Sequence, residues 1–526
     1  LAQGGDWGGA ITTWLAYDYP KTCNAIHINI FTMRHPDGPQ TKEEKDWENK
    51  FKKDQLTQEG YRTQQATKPQ TLSYGMMDSP VGVAAWIIEK FYFWSDLKNN
   101  DIDVSSISLG QLIDTAASKY QDSEALVYSN QPDVEEIRWT YNFLSNKSTE
   151  LARGFLLEGL KPGDTVGVWG PNHPEWILTE YALAKAGLKM VTLNPLYKEQ
   201  ELIFALNTVE AKGLVHAEEI GGTKATNLIQ KIKPEIKSLD HIYSFKSGLK
   251  KLILSGCQDS INLPIVNPKD IFMIQYTSGT TGTPKAAQMT HEALITSSKN
   301  SHIRWKVSNS QKVCHGFPLF HIGGSACMTL GAAAMGAVSL PLYIFKPQVT
   351  LDILENEKCS MFIGAPVHLT AMMQDPTFKN RDLSSLKCLI VGGSNPPVEL
   401  IKQFAIEFEA DVINGYGMTE TCGLSCTALT SDPPELKAIA GLPLPGVSLR
   451  IVDGNYETVR NNVPGELLYK GSGLMSGYGN LPDGSSGIND DGWFPTGDLA
   501  TMNEDGFIYE QFTATDGDGD DVTLSI

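Results

Sequence analysis

From Asp164 onward, short apolar runs alternate with longer amphipathic stretches. "DTVGVWG" (164–170), "KMVTLN" (189–194), "IFMIQYT" (271–277), "CSMFIGA" (359–365), "LKCLIVGG" (386–393) and "DVINGYG" (411–417) read as buried strands. "PEWILTEYALAKAG" (174–187) and "KEQELIFALNTVEA" (198–211) read as helices between them. Apolar strands in alternation with helices predict an α/β fold with parallel sheets covered by helices. After Ser431 the pattern changes, because "VSLRIVD", "GELLYKG" and "GFIYEQ" are strands joined by turns. A small antiparallel or barrel-like subdomain is predicted there. The expected division is α/β subdomains over 107–430 and a β-rich subdomain over 431–512, with an acidic tail at 513–526.

One apolar stretch, "GSACMTLGAAAMGAVSLPLYIF" (324–345), is long enough to cross a bilayer. It is rich in Gly and Ala, contains Pro341 and lacks aromatic or basic flanks at its start. It therefore reads as a buried helix followed by a core strand. The first hundred residues differ again. "DSPVGVAAWIIEKFYFWSD" (78–96) is aromatic-rich and helical in pattern, and 97–106 is a polar linker.

The chain has 526 residues, which at about 150 residues per domain suggests two to four domains. Its net charge of -18 argues against nucleic acid or an anionic membrane surface as the main partner. The eight cysteines are scattered without a CxxC pair and read as reduced thiols. With no leader pattern visible, a cytoplasmic location is expected, for a chain whose first residue is Leu.

The chemistry begins at "QYTSGTTGTPK" (275–285). Gly279 and Gly282 free backbone N–H groups to face a ligand, and Thr277, Ser278, Thr280, Thr281 and Thr283 add hydroxyls. Lys285 adds a cation, so the loop is suited to phosphate oxygens. Pro284 before the lysine departs from the Walker loop. "YTSGTTGTPK" resembles the signature loop of the AMP-forming acyl-CoA synthetases, within the wider adenylate-forming family. "RWTYNFL" (138–144), "PLFHIGG" (318–324), "VGGSNPP" (391–397), "NGYGMTET" (414–421), "GELLYKGSGLMSGY" (466–478) and "WFPTGDL" (493–499) correspond in order, and the resemblance covers about 104–511.

The resemblance implies a role for each matching position. The loop Thr277 to Lys285 would hold the β- and γ-phosphates of ATP. Gly392, Gly393 and Ser394 would lie near the adenine, with Tyr416 stacking on it and Gly417 beside it. Thr419 would contact the α-phosphate, Glu420 would position Mg²⁺ and Asp498 would accept hydrogen bonds from the ribose. His321 would lie near the reacting carboxylate. Amino-acid-activating relatives carry an Asp after the corresponding aromatic, whereas here His321 follows Phe320, which points to a plain, fatty-type carboxylic acid. The implied reaction has two steps: the acid and ATP give acyl-adenylate and pyrophosphate, and coenzyme A then displaces AMP.

Two further expectations concern the ends. The family continues into a Gly-Arg hinge and a small lysine-bearing domain, but this chain departs at "EQFTATDGDGDDVTLSI", so a truncated and impaired enzyme is expected. "DGDGDD" (516–521) fails as a calcium loop because Asp521 stands where the turn glycine belongs. At the other end, "QGGDWGG" (3–9) resembles the nucleophile elbow of an epoxide hydrolase, and 1–96 resembles part of that α/β-hydrolase. Asp6 would be its nucleophile and Tyr61 a lid acid, while His27 and His35 are misplaced to act as the base. The alternatives are thus a non-catalytic nucleotide-binding fragment or chimera, and an inactive hydrolase remnant.

Overall fold

The computed structural model describes residues 104, 106–132, 134–259, 261–277, 284–394, 396–481 and 485–511, the short strands Ala2–Gly4, Ile26–Ile28, Thr513–Thr515 and Asp521–Thr523, and residues 41, 42 and 45. Residues 1–98 and 99–526 form two compact units. In the first, Ala2–Gly4 pairs in parallel with Ile26–Ile28. Asp6, Tyr61 and the expected helix at 78–96 lie outside the described residues.

The second unit carries two large sheets. The first has seven strands in the order His241–Ser244, Gly213–His216, Thr165–Trp169, Lys189–Leu193, Ile271–Thr277, Lys285–Thr290 and Gly477–Tyr478. Its first five strands run parallel, and the last two are antiparallel additions at the edge. Thr165–Trp169 is buried throughout, as a strand covered on both faces requires. The helix Pro174–Lys185 is likewise buried over most of its surface. It opens with Pro at its first position and gives way to Gly187 at φ 68°.

The second sheet has nine strands. Its parallel heart comprises Val338–Pro341, Lys312–His315, Met361–Gly364, Cys388–Gly392 and Asp411–Met418. The segment 324–345 forms a buried π-helix, Gly323–Leu330, a short α-helix, Gly331–Met335, and the core strand Val338–Pro341. No helix among the described residues is long and apolar enough to cross a membrane.

A third, four-stranded antiparallel sheet contains Val447–Val452, Gly465–Gly471, Phe494–Met502 and Ile508–Gln511. Between its second and third strands the chain leaves to place Gly477–Tyr478 on the edge of the seven-stranded sheet. Gly477 makes that departure at φ 132°, and a Cβ there would stand 2.6 Å from that of Ser486. The acidic tail holds a short antiparallel pair, Thr513–Thr515 with Asp521–Thr523. Among the described cysteines all thiols are free; six are buried and Cys257 is exposed.

Candidate active site

Residues singled out in the sequence gather where the parallel strands end at their carboxyl termini, the general location of ligand sites in open α/β sheets. Thr277 ends one strand and Lys285 begins its antiparallel neighbour, and the two are register partners. The phosphate-loop sequence therefore closes a hairpin. It does not lead into a helix, so no helix dipole assists it at this point. Ser278, Gly279, Thr280, Thr281, Gly282 and Thr283 lie outside the described residues. The base of the hairpin is fixed by Asn480, whose amide nitrogen donates to the Pro284 carbonyl at 2.9 Å. Its carbonyl oxygen accepts from Ala286 N at 2.7 Å.

Tyr478 links this hairpin to the acidic residue expected to serve a cation. Its ring lies under Lys285, with Nζ 5.1 Å from the centroid. Its hydroxyl donates to Glu420 Oε1 at 2.6 Å. Burial first, and the Glu420 bond second, raise the phenol pKa, while Thr277 hydrogen-bonds the same oxygen. Glu420 itself is only 5% exposed. Among the described residues it has no cationic partner within ion-pair distance. A buried carboxylate left without a counter-charge, next to Thr419 on the turn Thr419–Thr421, fits a hard divalent cation shared with phosphate oxygens.

The residues expected near the purine sit on or just after two neighbouring parallel strands, with Gly392 opposite Gly415 in register. Gly393 adopts φ 80°, and a Cβ there would meet nothing within 4 Å. Ser394 is exposed beside it. Gly417 is required for a different reason: a Cβ would stand 1.9 Å from the Gly423 carbonyl oxygen of the adjacent strand. Tyr416 points its hydroxyl to Asp498, donating to Oδ2 at 2.6 Å. Asp498 is set by Thr496, whose hydroxyl accepts from Asp498 N at 3.1 Å and donates to Leu467 O at 2.7 Å. Burial raises the Asp498 pKa, the Tyr416 bond opposes that, and the charge of Glu420 adds to it. Asp498 and Glu420 thus feel each other.

His321 is solvent-accessible, yet desolvation by the surrounding protein lowers its pKa from the ordinary value. Its Nδ1 accepts from Gly323 N at 3.2 Å, so the neutral ring carries its proton on Nε2. Phe317 bridges this corner to Gly392, lying 3.4 Å from a Cβ built at Gly323 and 3.7 Å from one at Gly392. The 317–321 segment is held from the other sheet. Asn172 donates to the carbonyls of Phe317 and Leu342 and accepts from Leu319 N, and the Thr192 hydroxyl donates to Phe320 O at 2.8 Å.

Sequence reasoning singled out neither Tyr478 nor Asn480, Asn172 and Thr192. The only signal for Tyr478 was its place at the end of "GELLYKGSGLMSGY". A groove of about 510 Å³ lined by Gly163, Lys189, Lys269 and Ile271 lies at the opposite, amino-terminal ends of the strands.

A family model for AMP-binding enzymes matches residues 113–479. The medium-chain acyl-CoA ligase ACSF2, mitochondrial, of Bos taurus is 30% identical over 77% of this chain and 71% of its own. Acyl-CoA ligase SID4 of Ajellomyces capsulatus is 32% identical over 76% of this chain and 72% of its own. The crystal structure of the N-terminal domain of FACL13 from Mycobacterium tuberculosis superposes with a TM-score of 0.71 at 24% identity, covering 77% of this chain and 99% of that one.

Proposed function

This chain belongs to the AMP-binding enzyme family, and we propose that it activates a fatty-type carboxylic acid with ATP, forming acyl-adenylate and then acyl-CoA. The observation that carries this reading is one contiguous set of groups: Lys285 against Tyr478, Tyr478 on Glu420, and Asp498 near Glu420 under the Tyr416 hydroxyl. A cation, a buried carboxylate and a second carboxylate beside an aromatic ring suit a nucleotide with its phosphates.

In this reading Lys285 and the hairpin loop hold the β- and γ-phosphates, and Thr419 binds the α-phosphate. Bound Mg²⁺ would neutralise charge on the phosphate oxygens as pyrophosphate leaves, with Glu420 as its carboxylate. Asp498 takes the ribose hydroxyls and Tyr416 stacks on the purine. Both partners are held in mutual register by their hydrogen bond before any nucleotide arrives. His321, neutral and with its proton on Nε2, donates to the acid without forming an ion pair that would quench its nucleophilicity. The carboxylate oxygen attacks the α-phosphorus, and positioning supplies most of the rate. Coenzyme A is the acceptor in the second step.

The substrate class rests on two supports. Phe320 is followed by His321 where an amino-acid-activating site needs a carboxylate, and the named relatives are acyl-CoA ligases. The test is acid-dependent exchange of labelled pyrophosphate into ATP across straight-chain and aryl acids. Exchange with aliphatic acids supports the reading, and exchange only with α-amino acids would reverse the substrate class. For the first unit, the resemblance of 1–96 to part of an epoxide hydrolase carries a second proposal, a hydrolase-like remnant with Asp6 as its nucleophile. A covalent adduct on Asp6 after exposure to an epoxide, read by mass spectrometry, tests it.

A further inference from the structure

We propose that Tyr478 is a positioning residue that orients Glu420 for its cation, coupling the carboxylate to the base of the phosphate hairpin; this rests on the nucleotide reading above. The geometry is built from three directions. The hydroxyl reaches Glu420 Oε1 at 2.6 Å across 58 residues of sequence. Holding that oxygen leaves Oε2 as the oxygen available to a metal. The ring face holds Lys285 Nζ at 5.1 Å, so the same side chain sets a cation and an anion within one ligand's reach. The backbone is pinned on both sides, through Tyr478 paired with Ala287 and Gly479 N donating to Ala286 O at 2.9 Å.

The ring has little freedom to do anything else. It packs at 6.5 Å edge-to-face with Phe494, and a Cβ at Gly487 would stand 2.9 Å from its Cδ2. Two positive-φ glycines, Gly477 at 132° and Gly487 at 79°, flank the site where the ring is seated. Such positions are strained for any side chain, so the local backbone is committed to presenting this one aromatic. A purely structural tyrosine would need only its ring for this packing. The hydroxyl, joined to Thr277 at the hairpin base and to a carboxylate with no cationic partner within ion-pair distance among the described residues, is the part without a packing role.

The experiment is calorimetric titration of the full chain with ATP, once with Mg²⁺ and once with chelator, for wild type, Tyr478→Phe, Glu420→Gln and the double variant. Tyr478→Phe keeps the ring, its packing and the Lys285 contact. Its ATP affinity with Mg²⁺ is expected to fall about tenfold, the scale of one lost hydrogen bond to a charged group. Its affinity in chelator is expected to stay within about twofold of wild type. The double variant is expected to bind no more weakly than Glu420→Gln alone, because the tyrosine acts through the glutamate. Equal losses with and without metal, or additive losses in the double variant, would overturn the proposal. Tyr478→Leu, which removes the ring as well, should weaken binding in both conditions by releasing Lys285; a chelator affinity unchanged by that variant would also count against the coupling. If wild type binds no ATP in either condition, the nucleotide reading itself falls, and this proposal with it.

Discussion

Replacing Asp498 with Asn separates function from stability, because the two should move in opposite directions. In the wild-type fold the carboxylate is buried, and the nearby charge of Glu420 opposes its ionisation, while only the Tyr416 hydroxyl supports it. Its pKa is therefore raised above the usual carboxylate value. An acid whose folded-state pKa is raised binds its proton more tightly folded than unfolded. Stability is then lost as pH climbs from the unfolded pKa through the folded one, and the penalty is complete above it. At pH 7, above the unfolded pKa, this raised pKa costs stability, so Asp498→Asn should raise the unfolding midpoint. In the proposed reading the same change removes a carboxylate acceptor from the ribose hydroxyls. A hydrogen bond to a charged group contributes about 1.5–3 kcal/mol, so ATP affinity should drop roughly 10- to 150-fold. Calorimetric titration with ATP and thermal unfolding, both run from pH 4 to 8, read the two effects. Wild-type affinity should weaken on the acid side at a pH above the ordinary carboxylate range, whereas the variant should be nearly flat. An Asp498→Asn protein that unfolds earlier than wild type, or that binds ATP equally well, would refute this account of the residue.

Other perturbations test neighbouring links. Gly417→Ala puts a methyl 1.9 Å from the Gly423 carbonyl oxygen, so it should force the two strands apart, cost about 1–3 kcal/mol of stability by overpacking and abolish nucleotide binding; a circular dichroism melt and an ATP titration read both. Lys285→Ala should weaken ATP by tenfold or more while weakening AMP less, if the lysine serves the outer phosphates as proposed; equal losses for both nucleotides would contradict that. Glu357 tests the scaffold: Arg138 and Lys312 hydrogen-bond and pair with it and, against the opposing effect of burial, hold its pKa down at about 2. That stability is complete above the unfolded pKa and is lost as pH falls through about 2. Glu357→Gln should therefore lower stability at pH 7 by up to about 3 kcal/mol, with the difference from wild type shrinking between pH 4.5 and 2, as urea melts at each pH would show.

The parallel strands were legible because each is a buried run whose neighbours are helices, and periodicity reports both. Strand ends were legible to within a few residues. The helix expected over 198–211 stops at Thr208, since Glu210 adopts φ 48° and turns the chain toward the next strand. The motif residues were legible as a group, and in the fold Tyr416 hydrogen-bonds Asp498, Tyr478 joins Glu420 to Lys285, and the charge of Glu420 reaches Asp498. What was hidden depends on pairings between distant segments. Nothing in "SGYGN" announces that it leaves its own sheet to edge another, so the Tyr478 and Asn480 contacts with residues near 284–287 and Glu420 had no local signal. Asn172 reads as an ordinary loop residue, yet it secures Phe317, Leu319 and Leu342 from more than a hundred positions away. Tyr416 was expected to stack on the adenine, and nothing in the sequence announced that its hydroxyl would tie it to Asp498, 82 residues on.

The most direct test of the central claim is incorporation of labelled pyrophosphate into ATP by the full chain, with Mg²⁺ and a series of aliphatic acids. The account predicts exchange that needs both the acid and the metal and that in Asp498→Asn requires a correspondingly higher ATP concentration. No exchange with any carboxylic acid, together with no calorimetric binding of ATP, would contradict it.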